Sequence, residues 1–228
     1  MNSRDYIELE DKLGAHNYKP LDVVICEAKG VWVKDVDGKE YLDCLSAYSA
    51  VNQGHCHPHI VQAMIDQAQK VALTSRAFRS DKLALFYQKI NQLTGYDRFL
   101  PMNSGAEAVE TAIKVARKWA YVSKGIPKYE AEIIVAEGNF HGRTTTVISF
   151  STEQYYKEDF GPFTPGFLAV PYGDIEAMRA AITPNTGAIM LEPIQGESGV
   201  NIPPEGYLQA VAQLCKENNI LFIADEIQ

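Results

Sequence analysis

Hydrophobic positions along the chain recur with two different periods, and the second half alternates between them. Apolar residues recur every three or four positions within 58–71, 81–94 and 106–119, which predicts three amphipathic helices. Shorter apolar runs then alternate with further helical segments, and this indicates βαβ units with a mostly parallel sheet that has helices on both faces. The predicted strands are 98–102, 132–136, 145–150, 187–191 and 220–224, and the later predicted helices are 174–182 and 205–218.

The beginning of the chain has a different pattern. Short apolar stretches within 23–43 flank Asp37-Gly38, a dipeptide typical of hairpin turns, so they predict short strands. We therefore predict an α/β protein. A strand that ends close to Gln228 would normally be followed by a covering helix, which favours a longer protein.

Composition narrows the class of protein. The 228 residues are 46% hydrophobic and 22% charged, as in ordinary globular proteins. The net charge of −8 disfavours nucleic acid or an anionic membrane as the main partner. The chain shows no secretory signal, its apolar runs are too short to span a bilayer, and its four cysteines are scattered without a CxxC pair. We therefore expect a cytoplasmic protein with reduced thiols and no membrane association.

Parallel sheets bind ligands at the carboxyl ends of their strands, so the loops after the predicted strands are candidate sites. The first is Ser104-Gly105-Ala106, which opens a helix whose free N–H groups suit a phosphate. The alternative is an ordinary helix cap, with Ser104 and Glu107 as a capping box. The glycine-rich fingerprints of dinucleotide and nucleoside triphosphate sites are absent from the sequence. A histidine-rich stretch, 55–59, lacks a second pair of metal ligands, so we expect a loop there and no metal site.

The later loops carry aromatic and charged candidates. In the loop 137–143, Phe140 could stack on a planar ring and Arg143 could bind a carboxylate, or the two could be a core residue and a surface residue. Glu192 and Glu197 follow the next strand. They could act as acid–base groups or tune the charge of a ligand, and the alternative is that they are solvated loop charges. Asp225 ends an apolar strand, where burial is costly without a cationic partner, and the alternative is a surface carboxylate.

Taken in order, these loops resemble those of the class III aminotransferases, which are fold-type I enzymes that use pyridoxal phosphate. Further stretches, at 16–18, 46–58 and 73–78, resemble the ornithine-specific members of the class. The resemblance runs from about residue 17 to residue 228 and covers only the N-terminal part of such an enzyme. It implies that residues 1–50 are a segment of the family's small α/β domain and that residues 51–228 begin its large, cofactor-binding domain. The loops that carry it are Asn103-Ser104-Gly105-Ala106-Glu107-Ala108, Gly138-Asn139-Phe140-His141-Gly142-Arg143, Glu192-Pro193-Ile194-Gln195-Gly196-Glu197 and Asp225-Glu226-Ile227-Gln228.

The resemblance implies a role for each candidate residue. Two of them are implied to act in catalysis: Asp225 beside the pyridine nitrogen, and Glu197 as the partner of an arginine further along such an enzyme. The residues implied to bind the cofactor, through its phosphate, its ring or its phenolic oxygen, are Ser104, Gly105, Ala106, Phe140, His141, Asp225 and Gln228. The residues implied to bind the substrate amino acid are Tyr18, Tyr48, Arg143 and Glu192.

The resemblance also implies a reaction and an assembly. The δ-amino group of L-ornithine would pass to a 2-oxo acid such as 2-oxoglutarate, giving glutamate and glutamate 5-semialdehyde, which feeds proline. Members of the class build each active site from two subunits, so a homodimer is implied. The family's cofactor-bearing lysine lies beyond Gln228, so we expect the 228 residues alone to be inactive. The alternatives are a class III enzyme for acetylornithine or 4-aminobutyrate, and a non-catalytic fragment.

Overall fold

The computed structural model of the protein describes residues 1–227, and the chain divides into two compact units, Met1–Asp97 and Arg98–Gln228. The domain boundary predicted at residues 50 and 51 lies within the first unit. The division of the whole protein into a small and a large domain stays a prediction.

The first unit combines three helices with an antiparallel sheet in the order β1-β2-β3. The predicted hairpin is confirmed: Gly38 takes a φ of +91°, and Asp35 accepts hydrogen bonds from the Lys39 N–H at 2.8 Å and the Tyr41 hydroxyl at 2.7 Å. The helices carry no buried residue. The elements are α1 (Ser3–Leu13), β1 (Ile25–Lys29), β2 (Trp32–Asp35), β3 (Glu40–Leu42), α2 (Pro58–Ala68) and α3 (Asp81–Thr94).

The second unit contains a four-stranded parallel sheet in the order β5-β4-β6-β7. Helical segments connect the strands, as the alternating sequence pattern predicts. The elements are α4 (Gly105–Trp119), β4 (Glu132–Ala136), α5 (Thr145–Phe150), β5 (Phe167–Val170), α6 (Ile175–Ala181), β6 (Thr186–Leu191), α7 (Tyr207–Glu217) and β7 (Leu221–Ala224).

Helices cover both faces of this sheet. Successive side chains of a strand point to opposite faces, so each strand contributes to two hydrophobic clusters. On one face, Ile134 and Ile189 pack in a cluster with residues of α6 and α7 such as Met178 and Val211. On the other face, the neighbouring strand residues pack against α4 and α5, as in the cluster of Ile113, Ala116, Ile133, Val135, Val147, Phe150, Ala188 and Met190. The α/β fold with helices on both faces of a parallel sheet is confirmed.

Two predicted strands differ from the structure. The prediction for 145–150 is wrong, because this segment is helix α5. Thr144 starts the helix by accepting a hydrogen bond from the Val147 N–H at 3.2 Å, and Val147 and Phe150 pack on the sheet one turn apart. The segment 98–102 is not a strand either: no strand of the described chain pairs with it, and Pro101 has no N–H to donate.

The helices between residues 1 and 227 include none that is both long enough and apolar enough to cross a bilayer.

Candidate active site

A cavity of about 450 Å³ opens at the carboxyl ends of β6 and β7, beside the first turn of α4. This is the position at which parallel sheets bind ligands. The walls are largely apolar, and the loops after β4 and β7 add polar side chains. The lining residues include Gly105, Ala106, Val109, Phe140, His141, Gly142, Met190, Ile223, Asp225 and Ile227.

The cavity wall holds a buried carboxylate–imidazole pair. Asp225 Oδ2 lies 2.7 Å from His141 Nδ1, and their side chains are 11% and 0% exposed. An ionised carboxylate only accepts hydrogen bonds, so Nδ1 carries the proton. The His141 Nε2 atom is buried and has no hydrogen-bond partner within residues 1–227. The structure therefore places Asp225 in the cavity wall, with its orientation fixed, and leaves a polar atom of the pair unsatisfied.

The first turn of α4 offers hydrogen-bond donors to the cavity. Ser104 caps the helix by accepting from the Glu107 N–H at 3.2 Å, while the Glu107 carboxylate accepts from the Asn103 N–H at 2.7 Å, one residue earlier than in a capping box. The N–H groups of Gly105 and Ala106 have no acceptor among the described residues. A serine cap and an anion site are therefore compatible here, since the cap leaves two N–H groups and the hydroxyl proton available.

The loop after β4 is tied to the loop after β6 through Glu192. Its Oε2 accepts a hydrogen bond from the Phe140 N–H at 3.0 Å, and its backbone oxygen accepts from the Tyr172 hydroxyl at 3.0 Å. Burial raises the pKa of Glu192, against the opposing effect of the Phe140 N–H. Burial also raises the pKa of Tyr172 to about 12, so the phenol stays a donor. Glu192 thus fixes the backbone at Phe140.

Arg143 is exposed but packed against aromatic rings. Its guanidinium carbon lies 5.7 Å from the ring centre of Phe140 and 5.8 Å from that of Tyr156. Ring contacts of this kind hold a guanidinium without using its N–H donors. Arg143 makes no ion pair within residues 1–227. It can therefore offer its planar set of donors to an anion.

The remaining predicted residues are Glu197, Tyr18, Tyr48 and Gln228. Glu197 is exposed in the loop after β6 and forms no ion pair within residues 1–227. Tyr18 and Tyr48 belong to the first unit, where their hydroxyl groups share a hydrogen bond. Gln228 lies outside the described residues. Within the second unit, the structure brings together Ser104, Gly105, Ala106, Phe140, His141, Arg143, Glu192 and Asp225, and within the first unit it brings together Tyr18 and Tyr48.

Two residues near the site carry no prediction from the sequence. Gln195 is buried, and its Nε2 donates to the Glu137 backbone oxygen at 2.7 Å, which joins the loops after β6 and β4. A large amide in a glycine-rich loop is a signal that could have identified it. Tyr156 lies in a single 3₁₀ turn and supports Arg143, and nothing in its local sequence marks that role.

The donor set indicates which ligands fit. The described residues contain no group of three or more His, Cys, Asp and Glu side chains that could hold a metal ion. The cavity instead combines N–H donors at a helix start, apolar and aromatic walls and one buried carboxylate. This chemistry suits a ligand with a phosphate, a flat ring and a basic ring nitrogen.

Comparison with known proteins gives a consistent picture. Residues 13–228 match the family model for aminotransferase class III. The ornithine aminotransferase of Halalkalibacterium halodurans is 63% identical over 222 residues, which are 97% of this chain and 56% of that protein. The chain therefore spans little more than half the length of such relatives.

Solved structures are similar over the whole chain. An ornithine aminotransferase from Toxoplasma gondii, with partial occupancy of pyridoxal phosphate at its active site, has a TM-score of 0.97 at 45% identity, over 100% of this chain and 54% of that one. The acetylornithine aminotransferase of Elizabethkingia anophelis has a TM-score of 0.85 at 52% identity, with the same coverage of 100% and 54%.

Proposed function

The chain belongs to the class III aminotransferases, and on that premise we propose that the whole protein transfers the δ-amino group of L-ornithine to a 2-oxo acid such as 2-oxoglutarate. The products would be glutamate 5-semialdehyde, a precursor of proline, and glutamate. The main structural observation that supports this reaction is the buried Asp225–His141 pair, which lies in a cavity at the start of a helix. The relatives named ornithine aminotransferase support the choice of substrate.

Pyridoxal phosphate fits the residues present. The hydroxyl of Ser104 and the N–H groups of Gly105 and Ala106 would hold the phosphate, and Phe140 would stack on the ring. The role proposed for Gln228, a hydrogen bond to the phenolic oxygen, lies outside the described residues. When bound, the cofactor supplies a ring that withdraws electrons from the carbon bearing the amine.

Asp225 and His141 would hold a proton at the ring nitrogen. The imidazole donates to Oδ2 and so fixes the carboxylate, and it also excludes water because its side chain is fully buried. A carboxylate in such surroundings needs a cation, which a protonated ring nitrogen would supply. The unsatisfied Nε2 of His141 agrees with a wall that is completed by a ligand.

Substrate orientation would fall to three residues. Ornithine has two amines, and the α-amine is the usual target of transamination, so the protein must hold it away from the reacting centre. We propose that Arg143 binds the α-carboxylate with two parallel hydrogen bonds, that Tyr18 binds the α-amine and that Tyr48 lines the same pocket. Glu192 would form part of the pocket wall through its bond to Phe140.

The proposed role of Glu197 depends on residues from the remainder of the protein. An exposed carboxylate in the loop after β6 is available to pair with an arginine from the remainder of the protein, which would then bind the 2-oxo acid when released. The lysine that carries the cofactor would also come from that remainder. We propose a homodimer, on the strength of the family resemblance, and we propose the cytoplasm as its compartment.

A second candidate substrate is N-acetylornithine, because the acetylornithine aminotransferase of Elizabethkingia anophelis is 52% identical. The two candidates differ in the α-amine, which is free in ornithine and acylated in the other. A pocket that binds a charged α-amine through tyrosine hydroxyls favours ornithine.

The test compares amine substrates with the complete protein. The protein is purified with pyridoxal phosphate and assayed with 2-oxoglutarate and L-ornithine, N-acetylornithine or 4-aminobutyrate. We expect kcat/KM for ornithine to exceed the others by about tenfold or more, a difference of about 1.4 kcal/mol. A preference for N-acetylornithine would support the second candidate, and turnover of no amine would support the non-catalytic alternative.

A further inference from the structure

An unusual backbone segment carries Tyr48. Four consecutive residues, Ser46, Ala47, Tyr48 and Ser49, have φ values of 52°, 48°, 54° and 69°, so the chain makes a left-handed turn without a glycine. Left-handed backbone is unfavourable at every residue with a Cβ, and runs of it are rare. Other bonds must therefore hold this turn in place.

Asp43 supplies bonds at the start of the turn. Its Oδ1 accepts hydrogen bonds from the N–H groups of Leu45 and Ser46, both at 2.9 Å. The Ser46 oxygen in turn accepts from the Val51 N–H at 3.1 Å, which closes the turn on its far side. The carboxylate of Asp43 therefore orients the first peptide groups of the left-handed segment.

His55 holds the other oxygen of that carboxylate. Its Nε2 lies 2.7 Å from Asp43 Oδ2, and the two side chains are 24% and 16% exposed. The backbone of His55 is paired with that of Gly30 in both directions, at 2.9 and 2.8 Å. A Cβ at Gly54 would lie 3.1 Å from the Gly30 Cα, so the two chains approach closely there. His55 is thus fixed to the β1–β2 connection and transmits that fixed position to Asp43.

The turn ends at a contact between two tyrosines. The hydroxyl of Tyr48 shares a hydrogen bond with the hydroxyl of Tyr18, although more than half of each side chain is exposed. Exposed side chains of this size have many alternative rotamers, so the position of the Tyr48 hydroxyl depends both on its side-chain contacts and on the backbone beneath it. The order of contacts runs from Gly30 through His55 and Asp43 to the turn and then to Tyr48.

We propose that His55 and Asp43 are positioning residues for Tyr48, and that through the left-handed turn they set the enzyme's choice among amine substrates. The inference rests on the proposed function, in which Tyr48 lines the ornithine pocket. His55 itself needs no contact with the substrate. Loss of its hydrogen bond would leave the Asp43 carboxylate held only by the N–H groups of Leu45 and Ser46, and the turn could then relax away from left-handed backbone.

The experiment measures selectivity in the complete holoenzyme. The readout is the ratio of kcat/KM for ornithine to kcat/KM for 4-aminobutyrate, which has no α-amine to bind. We expect His55→Leu to lower this ratio about tenfold, which is the lower limit for losing one hydrogen bond to a charged group. His55→Gln, whose amide nitrogen can replace Nε2 as the donor, should stay within about threefold of the wild type. His59→Leu, which removes an exposed histidine of α2, is the matched control and should leave the ratio unchanged.

A second pair of variants separates positioning from a merely structural role. In a Tyr48→Phe background, His55→Leu should change the ratio by less than about twofold, because residues that act through one group are not additive. An equal loss in both backgrounds, or a ratio that stays constant while only the yield of folded protein falls, overturns the proposal. If the wild type uses a different amine from ornithine, the proposed function fails and the same ratio is measured with the amine it does use. Turnover of no amine overturns both.

Discussion

The two units of this chain hold their candidate residues in different ways. In the unit Arg98–Gln228, the candidates stand at the ends of buried parallel strands and at the start of α4, and Asp225 and His141 are almost fully buried. In the unit Met1–Asp97, the helices have no buried residue, and Tyr18 and Tyr48 are 60% and 55% exposed. There the order comes from polar bonds to two carboxylates, those of Asp35 and Asp43.

The difference indicates that buried and exposed candidate residues have different roles. Groups whose chemistry depends on low dielectric and fixed charge lie on the rigid sheet, where burial strengthens their electrostatics. Groups that would distinguish one amine from another, such as Tyr48 and Arg143, lie exposed on irregular segments, where a few local contacts determine their position. Substitutions should therefore differ in kind: those of buried groups at the sheet, such as Asp225, should change kcat, and those of exposed groups on irregular segments should change substrate binding and selectivity.

The largest expected effect is that of Asp225→Asn in the complete enzyme. The amide keeps the shape of the side chain but removes the charge that would hold a proton at the ring nitrogen. We expect kcat for ornithine to fall about 100- to 1000-fold, as on loss of a fixed electrostatic stabiliser, with the cofactor still bound. Glu217→Gln, an exposed carboxylate at the end of α7, should leave kcat unchanged. A kcat for Asp225→Asn within tenfold of the wild type, at saturating cofactor, would contradict the role.

The next effect is that of Arg143→Ala. Loss of a charge-assisted bond worth about 1.5–3 kcal/mol should lower kcat/KM for ornithine about 10- to 150-fold. Arg143→Lys should restore little, because an ammonium lacks the planar pair of donors. The exposed Arg179 of α6 provides the control variant, Arg179→Ala. Steady-state kinetics with 1,4-diaminobutane, which lacks the carboxylate, provide the comparison, and equal impairment of ornithine and 1,4-diaminobutane would argue against orientation by Arg143.

Tyr156→Leu should have a smaller effect of the same kind. The substitution removes one of the two rings against which the Arg143 guanidinium packs. A contact of this type at an exposed site is worth about 0.5–1 kcal/mol, so KM for ornithine should rise about two- to fivefold. Tyr156→Phe keeps the ring and should match the wild type. An equal rise in both variants would mean that the hydroxyl, and not the ring, is responsible.

The smallest effect compares two exposed alanines of the first unit. Ala63 lies within α2, where glycine should lower the free energy of unfolding by about 0.5–1 kcal/mol. Ala47 lies in the left-handed turn, where glycine relieves about 1–2 kcal/mol of backbone cost and offsets its own entropy, so Ala47→Gly should not destabilise. Urea unfolding of the complete protein provides the measurement, and equal destabilisation by both variants would mean that the turn is not left-handed in solution.

The sequence predicts the regular part of the fold well and the irregular part poorly. The strands β4 and β6 are buried on both faces, and the continuous apolar runs that this requires are typical of central strands in a parallel sheet. The run 145–150 is rich in β-branched residues and suits a strand by local preference, but the Thr144 cap and packing on the sheet make it α5. Local preference could not show this, since the deciding contacts come from distant residues.

The candidate site shows the same limit. The post-strand position of Asp225 is visible in the sequence, because the strand before it is apolar and ends abruptly. Its hydrogen bond to His141 joins residues 84 positions apart, and the bond between Asp43 and His55 crosses a turn whose left-handed backbone has no glycine to mark it. Hydrogen bonds of this kind form only in the folded chain. The sequence therefore identifies Asp225 as a candidate residue, and the structure identifies His141 as its partner.

Labelled ornithine provides the most direct test of the central claim, that the enzyme presents the δ-amine and not the α-amine. L-ornithine carrying ¹⁵N at only the δ-position or only the α-position is incubated with 2-oxoglutarate and the complete protein. The glutamate formed from the 2-oxo acid is then examined by mass spectrometry. The account predicts that the label reaches glutamate from the δ-position alone. Label arriving from the α-position, or equally from both, would contradict it.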